Sequence, residues 1–223
     1  MLASSGEKGS RLMFAATIAG ISLYVVLDAV AQSLPPHYSP VRQAESDLAV
    51  GPYGYIMAVN FVNRGVFSLL FLLGLMKRLP SRSDFRTGFG LFGIWAVGAL
   101  ILAVAPTDVN TPATLHGAVH LAVATLAFLG AALGALSISR AFGRDPALKE
   151  LARYAVPLAA LAALFLFVLY GGPVVFPHAA ERVGGLVERV FIGLVLAWML
   201  AVSATMLRIS APKATLQQKA APS

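Results

Sequence analysis

Long apolar runs, separated by short clusters of proline, glycine and charge, organise the chain. The runs cover Leu12–Ala31, Tyr53–Met76, Thr87–Ala105, Leu115–Ser139, Tyr154–Gly171 and Gly184–Leu207. Each comes close to the roughly 20 apolar residues that a helix needs to cross the hydrocarbon core of a bilayer. The gaps hold Pro35-Pro36, Gly51-Pro52, Pro106, Pro112, Gly172-Pro173 and Pro177, residues that favour turns. The runs are continuous and do not alternate with polar residues, which predicts spanning helices and not the strands of a β-barrel. The pattern therefore predicts an all-α polytopic bundle of six transmembrane helices over 12–208. Residues 1–11 read as an N-terminal cytoplasmic segment without apolar periodicity, and 209–223 as a disordered cytoplasmic tail. In the first gap, Ser39-Pro40 can open a short helix that Gly51-Pro52 stops after Val50. Val41, Ala44 and Leu48 give that helix an apolar stripe, with Arg42, Glu45 and Ser46 on another side, as expected of a helix lying at the membrane interface.

Composition agrees with this picture. Of 223 residues, 58% are apolar and 12% charged, and the mean hydropathy is +0.77. A soluble domain carries about 25% charge, so the remaining surface faces something other than water. The absence of cysteine excludes disulfides and thiolate metal sites. A net charge of +7 does not indicate nucleic acid, because the basic residues sit at the ends of apolar runs and not on one face among aromatics.

Their distribution sets an orientation. Lys8 and Arg11 precede the first run; Lys77, Arg78, Arg82 and Arg86 fill the second gap; Arg140, Arg144, Lys149 and Arg153 fill the fourth; Arg208, Lys213 and Lys219 follow the last. The odd gaps hold only Arg42 and Arg182. By the positive-inside rule both termini and the even gaps are cytoplasmic. Lys8, Arg11, the first run and Ala29-Val30-Ala31 also fit a cleaved signal peptide, but the run is long for one and Asp28 adjoins the cleavage site, which favours a retained span.

The polar residues that a bilayer does not require are more informative. His37, His116, His120 and His178 fall at the predicted outer side, together with Asp28, Glu45, Asp47, Asp108, Glu181 and Glu188. His116 and His120 lie one helical turn apart on one face, a spacing that suits two ligands of a divalent metal, with Asp47, Asp108 or Glu188 as candidate carboxylates. The plainer reading is an interfacial His116 and a His120 that bonds a neighbouring helix. Haem is disfavoured, because two histidines on one helix cannot ligate its opposite faces. Asn60, Asn63 and Arg64 lie within the second run. Arg64 keeps its charge and needs an acceptor, for which Glu188 and Asp28 are nearest in depth. Gly130 and Gly134 predict close helix packing, and Trp95 and Trp198 read as lipid- or bundle-facing bulk.

Three stretches carry a family resemblance: Tyr38-Ser39-Pro40-Val41-Arg42-Gln43-Ala44-Glu45-Ser46-Asp47-Leu48-Ala49, Pro106-Thr107-Asp108, and Thr114-Leu115-His116-Gly117-Ala118-Val119-His120. Over about residues 12–208 the chain resembles the bacterial membrane family named domain of unknown function 998. The resemblance implies a multi-pass protein of the bacterial cytoplasmic membrane and assigns no activity. Three functions then stand side by side. One is an outward-facing pocket that binds or hydrolyses a lipid or small amphiphile, with a metal on His116 and His120, catalytic candidates Asp47, Asp108 and Glu188, and Arg42, Asn60 and Arg64 holding the substrate. Another is transport past Asp28, Arg64 and Glu188. The third is an accessory subunit whose polar cluster holds the bundle together. Membrane lipid is the expected partner, and oligomeric state is left open.

Overall fold

A computed structural model describes residues 2–80 and 83–209. Arg82 and the predicted tail beyond residue 209 lie outside the described residues. The helices are α1 (Leu2–Ser33), α2 (Gly54–Arg78), α3 (Ser83–Leu102), α4 (Leu115–Phe142), α5 (Lys149–Val175) and α6 (Pro177–Arg208). All six are long and apolar enough to cross a membrane, and no strand occurs among the described residues.

Each helix packs against its successor, and α6 returns to α1, so the six form a closed ring. Contacts such as Asn60 with Tyr24, Trp95 with Ser68 and Tyr154 with Thr205 show neighbours running antiparallel. The ends joining α1 to α2, α3 to α4 and α5 to α6 therefore gather at one end of the bundle. The basic connections gather at the other. In α1 the inward residues Ser10, Phe14, Thr17, Ile21 and Tyr24 recur at spacings of three and four, with Ala31 two turns further on, the stripe of a helix with one packed face.

The ring is filled, not hollow. Phe71, Phe92 and Trp198 meet with ring centroids 5.3–5.8 Å apart, and Phe128 packs on Phe191 at 4.9 Å. Both tryptophans turn inward and donate to serines, Trp198 to Ser139 at 2.8 Å and Trp95 to Ser68 at 3.1 Å. A Cβ at Gly130 would lie 2.5 Å from the Leu91 carbonyl oxygen, and one at Gly134 2.6 Å from the Phe92 nitrogen. The predicted close packing is thus between α4 and α3.

Three elements depart from the sequence reading. Helix α1 begins at Leu2, ahead of the predicted Leu12. Helices α5 and α6 are separated by Phe176 alone, because Pro177 occupies the first turn of α6, where its missing N–H removes no bond. Finally, the first connection is not a surface helix over 39–50. It is a strap (residues 34–53) with a turn near Val41 and one short 3₁₀ helix, Glu45–Ala49. Glu45 does not join the exposed polar side: it points inward and is 3% exposed.

Candidate functional site

Arg64 lies ten residues into α2, about 15 Å along the helix. Its side chain is 1% exposed. The guanidinium carbon sits 4.9 Å from the Phe61 ring centroid and 4.4 Å from that of Trp95. Such stacking stabilises a desolvated cation by up to about 2 kcal/mol. One edge of the guanidinium turns to Glu45, whose Oε2 is 3.9 Å from Nη1. The loop residue, and neither Glu188 nor Asp28, is therefore the ion-pair partner. Nε and Nη2 have no hydrogen-bond partner. Asn60, one turn away, donates from Nδ2 to the Tyr24 carbonyl at 3.1 Å and leaves Oδ1 unpaired.

Glu45 reaches this depth because the strap is fixed on both flanks. Its backbone N–H donates to Glu188 Oε2 at 3.0 Å, and its Oε1 accepts from the Tyr24 hydroxyl. Asp28 accepts from Gln32 on one oxygen, and its charge acts on the Glu45 carboxyl. Burial pushes the Glu45 carboxyl up to about 8; the Asp28 charge acts in the same direction, and Arg64 and Tyr24 oppose it. Arg189 clamps the strap from α6. Its Nη1 donates to the carbonyls of Gln43 at 3.0 Å and Pro40 at 3.2 Å, and its Nη2 to the Tyr38 hydroxyl. The Leu186 N–H donates to the Val41 carbonyl at 3.0 Å. Gly185 makes this approach possible, since a Cβ there would fall 2.1 Å from the Gln43 carbonyl oxygen.

A family model described as "Protein of unknown function (DUF998)" matches residues 18–205. The chain belongs to that family. No curated protein and no solved structure matches it. In this DUF998 protein the stretch from Tyr38 to Ala49 is the strap that delivers Glu45.

The other residues singled out in the sequence lie apart from Arg64. Arg42 is exposed on the strap. Asp47 is half-buried and lines a cavity of about 350 Å³ with His37, Tyr38, Gln43, Tyr53 and Asn110; burial pushes its carboxyl up. Asp108 braces the start of α4, accepting from the Thr114 N–H and hydroxyl at 2.8 Å each, and these bonds hold its carboxyl below the usual range. Thr114 caps the helix by accepting from the Gly117 N–H at 3.1 Å. His116 is exposed, whereas His120 is buried, with Nδ1 2.7 Å from the Ala105 carbonyl oxygen. Among the described residues no three His, Asp or Glu side chains are placed to hold a metal ion. Glu188 does join the site, and sequence depth had placed it near Arg64. Glu45, Tyr24 and Arg189 were missed as site residues: their partners across the site lie 19 to 151 positions away, so no local pattern marks them.

Proposed function

We propose that this protein binds a small amphiphile at the Arg64–Glu45 centre, beneath the strap, at the outer side of a bacterial cytoplasmic membrane. One observation carries the reading: a buried guanidinium bracketed by two aromatic rings keeps two N–H donors unpartnered. A charge at the centre of a membrane helix costs about 2.5–3.5 kcal/mol on insertion scales, and such residues mark functional sites by default. Unpaired buried donors add to that cost. A centre serving packing alone would be expected to pair them, whereas a binding site keeps them for its ligand. The sorting of lysine and arginine toward the opposite end supports the orientation. Binding is favoured over hydrolysis, since His116, His120 and the carboxylates Asp47 and Asp108 do not converge.

A structural role has one observation of its own: Glu45 ties the strap to α1, α2 and α6 together. The two readings separate in protein extracted from native membranes into polymer discs, with bound species identified by mass spectrometry. Wild type should carry one amphiphile enriched over bulk lipid. Arg64→Lys, which keeps the charge and removes the planar fork, should lose it with helix content and elution unchanged. Bulk lipid alone on the wild type, with Arg64→Lys altering only thermal stability, would leave the structural tie as the role.

A further inference from the structure

The two free donors of Arg64 lie on one edge of the guanidinium. Nε–H and the adjacent Nη2–H point the same way and form the fork that takes two oxygens of a carboxylate or phosphoryl group side-on. Nη1 alone is turned to Glu45, at a distance too long for a hydrogen bond. The site is therefore built for a second, bidentate acceptor beside the internal one.

Charge balance around that fork is constrained. Acting on the Glu45 carboxyl are Tyr24 and Asp28 from α1, Arg64 from α2, and Glu188 and Arg189 from α6; Tyr38 and Asp47 of the strap lie on the Arg189 side. His120 of α4 lies beyond Phe61, on the Arg64 side. Asp28 Oδ2 is taken by Gln32 and Glu45 Oε1 by Tyr24, which leaves Asp28 Oδ1 and Glu45 Oε2 without donors. With one proton held between the Asp28 and Glu45 carboxyls taken together, the two carry one negative charge and balance Arg64, while Glu188 balances Arg189. An anion added at the fork leaves a net charge in a low-dielectric interior unless a second proton arrives with it.

We propose that Arg64 binds the carboxylate or phosphoryl group of its ligand through Nε and Nη2, and that one proton enters with each anion and is held by the Asp28–Glu45 pair. This rests on the binding role proposed above and names its ligand chemistry. No covalent bond changes: the proton comes from solvent, one carboxylate oxygen of the pair accepts it, and the anion takes the two guanidinium hydrogen bonds.

The test is calorimetric titration of the full chain in zwitterionic nanodiscs with decanoate, dodecyl phosphate and inorganic phosphate. Each is run at pH 6, 7 and 8 and in two buffers of different ionisation enthalpy. With decanoate, a monoanion in water throughout this range, one proton should be taken up per anion, with affinity falling about tenfold for each pH unit gained. Asp28→Asn/Glu45→Gln should bind decanoate with no proton uptake. Binding by the two amphiphiles supports a headgroup or fatty acid ligand. Binding by inorganic phosphate alone keeps the anion–proton coupling and overturns the amphiphile. Anion binding by wild type without proton uptake overturns the coupling and leaves the binding role intact. If none of the probes binds while native discs still yield an enriched amphiphile, the anionic class is wrong and the binding role stands.

Discussion

Glu45→Gln offers the sharpest test of how the strap is held, because it removes an ionisation and keeps the shape. The carboxyl holds its proton more tightly in the folded protein, up to about 8 against an ordinary 4.5. Between those values the folded state binds more protons than the unfolded one, so stability falls as pH rises through the window and is greatest at its acid end. Each tenfold change in proton affinity corresponds to about 1.4 kcal/mol, which makes the whole window worth on the order of a few kcal/mol. For a chain of this length that is roughly 10 °C in Tm. Thermal unfolding in detergent, followed by intrinsic fluorescence at one fixed scan rate from pH 5 to 9, reads it directly. Wild type should lose stability across the range, and Glu45→Gln should flatten the slope while remaining close to wild type at pH 5. Parallel slopes in the two proteins, or a wild-type Tm that climbs with pH, would refute a buried carboxyl that prefers its neutral form.

Two further outcomes follow from the packing. Gly185→Val places atoms within 2.1 Å of the Gln43 carbonyl oxygen, a backbone atom that cannot rotate aside; it should destabilise by about 1–3 kcal/mol and raise deuterium exchange in residues 38–49 ahead of the helices. Thr114→Ala removes the cap on α4 and should cost about 1 kcal/mol in Tm measurements, with the amphiphile still retained in native discs.

The spanning helices were legible because a bilayer imposes a length and a composition that few other environments require. The glycine pair of α4 was legible for a similar reason: Gly130 and Gly134 admit the α3 backbone, with Leu91 and Phe92 seated against them. The α5–α6 junction was misread because Pro173 and Pro177 count as breakers by type. Position decides their effect: Pro173 lies in the last turn of α5, and Pro177 opens α6. The strap was misread because amphipathicity alone sends charge outward. Glu45 goes inward because the Tyr24 hydroxyl and the Arg64 guanidinium await its carboxyl there, and neither is near it in sequence. Arg64 was legible as a cation in want of an acceptor; which acceptor it found was not.

Of the three stretches behind the family resemblance the strap alone reaches the guanidinium, while the other two set the start of α4 and the place of His120 beside Phe61. The strap supplies Glu45. Asp108 and Thr114 fix where α4 begins, and hence the depth at which His120 enters the bundle. His120 engages the Ala105 carbonyl through Nδ1 and sets its ring 6.5 Å from that of Phe61, one of the two rings bracketing Arg64. His116 is exposed in the first turn of α4, and His120, one turn on, is buried. On this geometry His120 packs behind Phe61, whose ring lies 4.9 Å from the Arg64 guanidinium carbon, and its bond to the Ala105 carbonyl holds it there more firmly than an aliphatic side chain of equal size would be held.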